Sequence, residues 1–144
     1  MLVKEIMNTD VKTIKSSDSI QKAAKIMNEY RIGGLIVLDK TQLAGIITER
    51  DIMRDVVALA KDVIKTKVKD VMRTELVVIE SNISVADAAK VMLEKNIKKL
   101  PVVEGKNLIG IITSTDILAA QPKQMEIMSE MLVFHKDEKR PVAG

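Results

Sequence analysis

Two threonine–aspartate pairs with the same spacing are the residues in this sequence best suited to chemistry. They lie in GIITERDIM, residues 45–53, and in GIITSTDIL, residues 110–118, as Thr48 with Asp51 and Thr113 with Asp116. A T-x-x-D pattern after an apolar run predicts a strand followed by a helix whose first turn the two side chains cap. The same helix start offers N–H groups and a hydroxyl to a phosphate, and a carboxylate can accept hydrogen bonds from ribose hydroxyls. Capping alone and nucleotide binding both stay open at this point.

Each phrase begins with a glycine, Gly45 in the first and Gly110 in the second. We expect these glycines where a strand begins, at positions where another part of the backbone approaches closely. The paired isoleucines that follow them are expected in the core.

The two phrases belong to a duplication that covers most of the chain. Residues 3–52 align with residues 68–117 at a constant offset of 65, with no gap, and 22 of the 50 positions are identical. Chance would give about three identities. Two copies of this length predict two small supersecondary units, each needing a partner to bury its open face.

Each copy is predicted to fold as β-α-β-β-α. A β-prone stretch, VKTI or LVVI, precedes a helix in each copy. Its caps are supplied by Ser16, Ser17 and Ser19 in the first copy and by Ser81, Asn82 and Ser84 in the second, where Ser84 with Asp87 makes an S-x-x-D box. An apolar stripe at i, i+3, i+4, i+7 spacing is expected to be buried on each of these helices. Its members are Ile20, Ala23, Ala24 and Met27 in copy one and Val85, Ala88, Ala89 and Met92 in copy two.

A hairpin and a second helix complete each copy. The hairpin is predicted from two apolar runs that a short polar turn separates. The second helix is predicted over residues 49–64 in copy one and 114–121 in copy two, where Pro122 stops or bends it.

Composition excludes several classes of function. The 144 residues are 47% apolar and 30% charged, which is typical of a soluble globular protein, and no apolar run approaches the roughly 18 residues of a membrane span. A cytoplasmic location is therefore the default expectation. With no cysteine and one histidine, His135, neither a metal site nor a nucleophile with a matched base is predicted, so we expect no enzyme. Dispersed lysines, two aromatic residues and a net charge of +3 disfavour nucleic-acid binding.

The order of elements and the closing phrase G-h-h-T-x-x-D-h, in which h is apolar, resemble a pair of cystathionine β-synthase (CBS) domains. A second motif, h-x-x-L-P-V-V, occurs at Ile97–Val103 and less faithfully at Ile32–Leu38, where Ile36 replaces the proline. The resemblance covers roughly residues 1–121. It implies an α/β fold of the mixed α+β kind, with tandem repeats at 1–65 and 66–121 packed in pseudo-twofold symmetry around two clefts, and a C-terminal helix and charged tail at 122–144.

The resemblance also implies a ligand and its contacts. CBS pairs typically bind adenosine derivatives such as AMP, ADP, ATP or S-adenosylmethionine, and each cleft takes its T-x-x-D from one copy and its base contacts from the other. Carried over to this sequence, one cleft comprises Thr113, Thr115 and Asp116 with Lys12, Ile32, Gly33 and Gly34. The other comprises Thr48, Arg50 and Asp51 with Val77, Ile97, Lys98 and Lys99.

The two clefts differ in charge. Arg50, Lys98 and Lys99 form a cationic set suited to a di- or triphosphate, whereas the other cleft is nearly neutral and suits a monophosphate or a nucleoside. The first functional hypothesis is therefore a regulatory module that senses adenine nucleotides and acts on a separate protein partner or through its own assembly. The second is a structural dimerisation or scaffold module whose clefts stay empty.

The segment after the repeats carries its own apolar stripe. Met125, Met128, Met131 and Leu132 share one face of a predicted helix over residues 123–134. This helix can cover its own domain or join a second molecule. The family commonly forms disk-like dimers, so the resemblance implies a homodimer.

Overall fold

The computed structural model of this protein describes residues 1–120 and 128–133. The elements are, in chain order, α1 (Val3–Ile6), β1 (Thr13–Lys15), α2 (Ile20–Tyr30), β2 (Gly34–Asp39), β3 (Gln42–Thr48), α3 (Glu49–Ile52), β4 (Ile79–Glu80), α4 (Val85–Lys95), β5 (Lys99–Glu104), β6 (Asn107–Thr113) and α5 (Ser114–Ala120). Residues 128–133 are also helical. The fold is mixed α+β, and each copy has the predicted β-α-β-β-α order.

The chain forms two compact units. The first unit contains Asp10–Val77 with Gly105–Leu108, and the second contains Met1–Thr9, Val78–Glu104 and the described residues from Ile109 onward. The strands are hydrogen-bonded in the order β1-β2-β3-β6-β5-β4. The ladder between β3 and β6 has one residue pair, Gln42 with Asn107, and both of these residues belong to the first unit.

The first helix of each copy begins at the last of the predicted capping residues. The Ser19 hydroxyl accepts a hydrogen bond from the Lys22 N–H at the start of α2, and Ser84 accepts one from the Asp87 N–H at the start of α4. Within the described residues, the reciprocal bond from the Ser84 N–H to the Asp87 carboxylate is absent, so the predicted S-x-x-D box is half formed. Both helices end at a residue in the left-handed conformation, as helix C-termini commonly do.

The prediction of a buried apolar stripe is correct on α4 and wrong at one position on α2. Val85, Ala88, Ala89 and Met92 are buried, as are Ile20, Ala23 and Met27. Ala24, the counterpart of the fully buried Ala89, is exposed. Helical periodicity places Ala24 at the edge of the stripe, and only the neighbouring elements decide whether such a position is covered.

The hairpins form as predicted, whereas the second helix of copy one is shorter than predicted. β2 and β3 pair in antiparallel register with an irregularity between Val37 and Leu38. After β3, α3 continues into a π-helical turn, Met53–Val57, and the helix then ends, with Ala60 in the left-handed conformation. The predicted helical residues 58–64 therefore lie outside it. Pro122 lies outside the described residues.

The leading segment of each copy hydrogen-bonds to the other copy. The Val3 and Lys4 N–H groups donate to the carbonyls of Ile83 and Ser81, at 2.9 and 3.1 Å. Sixty-five residues later, Val68 and Lys69 donate to Asp18 and Ser16, at 2.8 and 3.0 Å. Each compact unit is thus completed by a segment that precedes the other copy in sequence. The division of the repeats at residues 65 and 66 stays a prediction.

The core of the first unit is built from the predicted apolar positions and the second leading segment. Its buried members are Ile14, Ile20, Ala23, Met27, Leu35, Val37, Ile47, Val56, Val68 and Val71. Val68 and Val71 come from the short 3-10 turn Val68–Asp70 and the residue after it. Burial of an apolar side chain of this size stabilises the folded state by about 1.5–3 kcal/mol, so the leading segment contributes directly to the unit that it completes.

Candidate functional site

The first T-x-x-D phrase forms a complete capping box at the junction of β3 and α3. The Asp51 N–H donates to the Thr48 hydroxyl at 3.2 Å, and the Thr48 N–H donates to Asp51 Oδ2 at 2.9 Å. Both side chains are half-buried. The predicted cap is confirmed, and it holds the hydroxyl and the carboxylate next to each other at the start of the helix.

The second phrase repeats this geometry between β6 and α5. The Asp116 N–H donates to the Thr113 hydroxyl at 3.1 Å, and the Thr113 N–H donates to Asp116 Oδ2 at 2.9 Å. In both boxes the aspartate uses one oxygen for the cap. A hydroxyl that accepts a hydrogen bond can still donate its own proton, so each threonine retains a donor.

Asp51 and Asp116 differ in the surroundings of Oδ1, the carboxylate oxygen that the cap does not use. Arg73 Nε lies 3.6 Å from Asp51 Oδ1, and the Asp51 side chain is only 13% exposed. Within the part of the chain that the structure describes, Asp116 takes part in no salt bridge. Asp116 Oδ1 is therefore available to a ligand hydroxyl, whereas Asp51 Oδ1 already faces a cation.

A strand start lies beside each capping box. The Glu49 N–H donates to the Gly33 carbonyl at 2.9 Å, and the Ser114 N–H donates to the Lys98 carbonyl at the same distance. In the β2–β3 ladder, Gly34 pairs with Thr48. Each T-x-x-D phrase is thus hydrogen-bonded to the strand start of its own copy.

A groove between α2 and α3, here called the α2–α3 groove, opens next to the first capping box. Its volume is about 410 Å³. It is lined by Ala24, Met27, Asn28, Arg31, Ile32, Gly33, Glu49 and Ile52. Two of the predicted base-contacting residues, Ile32 and Gly33, therefore line a groove of the first unit.

The other predicted residues are placed as follows. Lys12 lies 3.3 Å from an Asp10 oxygen and 4.4 Å from the centre of the Tyr30 ring. Val77 and Ile97 are half-buried, while Arg50, Lys98, Lys99 and Thr115 are exposed. Lys98 and Thr115 line one cavity of the second unit. The composition of each cleft from residues of both copies stays a prediction.

Sequence reasoning missed two charged residues at the first capping box. Arg73 pairs with Asp51, and the Glu49 carboxylate would lie 3.2 Å from a side chain added at Gly33. The copies differ at both positions, since Asn8 and Ser114 are the counterparts, and this difference was visible in the sequence. The proximity of Arg73 to Asp51 was not visible in the sequence. It arises because the leading segment of the second copy lies beside β3, where Arg73 and Ile46 exchange backbone hydrogen bonds.

Among residues 1–120 and 128–133, no cluster of three potential metal ligands occurs. No helix in the same part of the chain is both long enough and apolar enough to cross a membrane.

Comparison with known proteins assigns the family. Residues 3–58 and 68–123 each match the CBS domain, and these two matches cover most of the chain. The chain therefore belongs to the CBS domain family. The resemblance seen in the two G-h-h-T-x-x-D phrases is confirmed.

Several CBS-domain proteins resemble the chain over most of its length. The CBS domain-containing protein YhcV of Bacillus subtilis is 37% identical over 119 residues, which are 83% of this chain and 84% of YhcV. The conserved CBS domain protein TA0289 of Thermoplasma acidophilum superposes with a TM-score of 0.75 at 28% identity, covering 94% of this chain and 76% of that one. CBSX2, solved in complex with AMP, superposes with a TM-score of 0.71 at 26% identity, covering 87% of this chain and 98% of CBSX2.

Proposed function

We propose that this protein is a regulatory module that binds adenosine-containing nucleotides through its two T-x-x-D phrases. CBS domains commonly act as regulatory modules, and the similar protein CBSX2 has been solved with AMP. The observation that carries the proposal is the Thr113–Asp116 box, in which a half-buried carboxylate keeps one oxygen outside the cap. Such an oxygen suits the hydroxyls of a ribose.

The members of each cleft are those that the family resemblance implies, and the ribose and phosphate roles follow from side-chain chemistry. In one cleft, Asp116 binds ribose, Thr113 and Thr115 bind phosphate, and Lys12, Ile32, Gly33 and Gly34 surround the base. In the other cleft, Asp51 binds ribose, Thr48 and Arg50 bind phosphate, and Val77, Ile97, Lys98 and Lys99 surround the base. AMP, ADP, ATP and S-adenosylmethionine are the candidate ligands.

The clefts are proposed to prefer different ligands. Arg50, Lys98 and Lys99 are all exposed cations, and Arg73 adds a fourth beside Asp51. Charge-assisted hydrogen bonds from such groups favour a di- or triphosphate. Because Arg73 already faces Asp51, ribose binding there requires the guanidinium to move toward the phosphates.

The output is proposed to be regulatory and non-catalytic. Ligand binding changes the affinity of the module for a separate protein, and the protein itself acts as a homodimer in the cytoplasm. A structural scaffold is the second candidate, because both capping boxes are complete in the structure through residues of the chain alone.

A thermal-unfolding and calorimetric titration separates the two candidates. AMP, ADP, ATP and S-adenosylmethionine are tested with GTP as the non-adenine control. A sensor gains stability by RT ln(1 + [L]/Kd), which is about 2.7 kcal/mol at one hundred times Kd. A scaffold gives no saturable response to any member of the panel.

Matched variants test which aspartate, and therefore which cleft, binds the ligand. Asp116→Asn and Asp51→Asn keep an oxygen for the cap but replace the free acceptor by an amide donor, so each removes ligand-dependent stabilisation from its own cleft. Ser84→Ala weakens the α4 cap, at a cost of about 1 kcal/mol, and leaves ligand binding intact. If Ser84→Ala and Asp116→Asn reduce the ligand response equally, the assignment of Asp116 to the ribose is wrong.

A further inference from the structure

Asp51 has one carboxylate oxygen that faces a cation of its own unit. Arg73 Nε lies 3.6 Å from Asp51 Oδ1, while Oδ2 accepts the Thr48 N–H at 2.9 Å. The side chain of Asp51 is 13% exposed, and that of Arg73 is 63% exposed. Removing a carboxylate from water is costly unless the carboxylate is paired or hydrogen-bonded. Arg73 supplies the pairing for Oδ1 in this structure.

The backbone of Arg73 is held in place, whereas its side chain can move. Arg73 and Ile46 exchange two backbone hydrogen bonds, each of 2.9 Å. By contrast, the distance of 3.6 Å between Arg73 Nε and Asp51 Oδ1 is too long for a hydrogen bond, and most of the Arg73 side chain contacts water. The guanidinium can therefore leave Asp51 while the backbone of the leading segment stays where it is.

The other copy carries a neutral side chain at the equivalent position. Asn8 is the counterpart of Arg73, and it exchanges the same pair of backbone hydrogen bonds with Ile111, at 2.8 and 2.9 Å. Ile111 precedes Thr113 by two residues, as Ile46 precedes Thr48. The two leading segments thus bring a guanidinium to one T-x-x-D phrase and an amide to the other.

A ribose hydroxyl that binds Asp51 Oδ1 takes the place of Arg73. The hydroxyl donates a hydrogen bond but carries no charge, so the displaced guanidinium loses its ion pair. A phosphate group on the same ligand compensates for this loss, because guanidinium and phosphate form bidentate, charge-assisted hydrogen bonds. Adenosine has the same ribose and base but no anionic group. The cost of displacing Arg73 is therefore recovered by a nucleotide and not by the nucleoside.

We infer that Arg73 determines the specificity of the Asp51 cleft for phosphorylated adenine nucleotides over adenosine. The inference rests on the proposed function, in which Asp51 binds the ribose. Arg73 opposes the binding of a nucleoside because it holds Asp51 Oδ1, and it favours the binding of a nucleotide because it contacts the phosphates once displaced. The Asp116 cleft, with Asn8 at the equivalent position, discriminates less between the two ligands.

The test compares ATP with adenosine by titration calorimetry in protein that carries Asp116→Asn, which confines binding to the Asp51 cleft. Arg73→Asn then gives this cleft the side chain of the other copy. We expect ATP affinity to fall about tenfold, because charge-assisted hydrogen bonds are lost, and adenosine affinity to rise about fivefold, because a competing ion pair is lost. Changes in the same direction for both ligands, or no change, would overturn the inference.

Arg54→Asn is the matched control for the loss of a positive charge. Arg54 is exposed in the π-helical turn Met53–Val57 of the same unit. This variant is expected to leave the ratio of the ATP and adenosine affinities unchanged. An equal change of the ratio in both variants would attribute the selectivity to net charge and not to Arg73. Because both arginines are exposed, neither substitution is expected to unfold the protein, and denaturant titration without nucleotide checks this.

The reciprocal exchange tests whether this position sets selectivity in either copy. In protein that carries Asp51→Asn, Asn8→Arg is expected to lower adenosine affinity about fivefold, and unchanged adenosine binding would contradict the inference. The experiment also separates the inference from the proposed function. If neither ligand binds the unaltered protein, the proposed function is wrong and the inference fails with it. If ATP binds at the Asp51 cleft and Arg73→Asn leaves the affinity ratio unchanged, the proposed function stands and the inference alone is wrong.

Discussion

At the scale of single residues, the two carboxylate oxygens of each T-x-x-D aspartate have different surroundings. One oxygen accepts the N–H of the capping threonine, and the other faces Arg73 at Asp51 or is available to a ligand at Asp116. A cap stabilises a helix by about 1 kcal/mol. The threonine–aspartate spacing therefore predicts the cap by itself, whereas the use of the second oxygen depends on what the fold places beside it.

Lys98 and Lys99 are expected to discriminate between nucleotides by phosphate count. Replacing both with alanine should weaken ATP binding more than AMP binding at the Asp51 cleft, because exposed cations attract the additional phosphate charges. Titration calorimetry with the two nucleotides measures the difference. The control is the Lys90→Ala, Lys95→Ala variant, which removes the same charge from exposed positions of α4. Equal losses for ATP and AMP would contradict the cationic cleft.

Gly45 is expected to be irreplaceable for steric reasons. A Cβ atom at this position would lie 2.6 Å from the Arg73 carbonyl oxygen and 2.8 Å from the Met72 sulfur. Gly45→Ala should therefore lower the free energy of unfolding by about 1–3 kcal/mol, as measured by chemical denaturation without nucleotide. Gly34→Ala is the matched control, because its Cβ would meet its nearest neighbour at 3.5 Å and should change stability little.

The expected position of the two phrase-opening glycines within their strands is wrong. Gly45 and Gly110 were expected where strands begin, but both lie inside strands, since β3 begins at Gln42 and β6 at Asn107. The expected close backbone approach is confirmed at both positions. A Cβ atom added at Gly110 would lie 2.7 Å from the Met7 sulfur and 3.0 Å from the Asn8 carbonyl oxygen. The leading segments explain the requirement for glycine.

At the scale of elements, local sequence predicts the helices and hairpins better than their contacts. Ser19 and Ser84 cap α2 and α4, and the polar turns connect the strand pairs, because these features involve residues close in sequence. The second helix of copy one ends at Val57, although apolar periodicity continued to Ile64. Ile64 is 61% exposed, so no packing sustains the helix there.

The helix at residues 128–133 is expected to stabilise the second unit. Met128 is 1% exposed, and Met128→Ala should lower the free energy of unfolding by about 2–4 kcal/mol, because it leaves a cavity against α5. Leu132→Ala, at a side chain that is 52% exposed, should cost less than about 1 kcal/mol. Denaturant titration compares the two variants. A similar loss from both would contradict the packing of residues 128–133 on this unit. Met125 and His135 lie outside the described residues.

At the scale of the whole molecule, the duplication exchanges its leading segments. Residues 68–72 complete the first unit and residues 3–7 complete the second, through equivalent hydrogen bonds from each. Val3 and Val68 are both fully buried. The sequence repeat and the compact unit are therefore different divisions of the chain.

The difference between the sequence repeat and the compact unit predicts which of two fragments of the chain is the more stable. A fragment of residues 10–77 contains Val68 and Val71 of the first core, whereas residues 1–65 contain a leading segment that belongs to the second unit. We expect the 10–77 fragment to show the better dispersed amide spectrum and the slower hydrogen exchange. If the 1–65 fragment is equally ordered, the leading segments contribute little to the cores.

The sequence by itself determined the duplication, the β-α-β-β-α order, the caps and the family. These features follow from short-range periodicity and from motifs that repeat at a constant offset. Tertiary structure alone decided which copy each leading segment completes, that Arg73 faces Asp51, and that Ala24 is exposed while Ala89 is buried. Ala24 and Ala89 lie in the same local sequence, Ala-Ala-Lys, so their opposite burial cannot be read from local pattern. It depends on the neighbouring elements, and in the second unit the helix at residues 128–133 lies beside residues of α4 and α5.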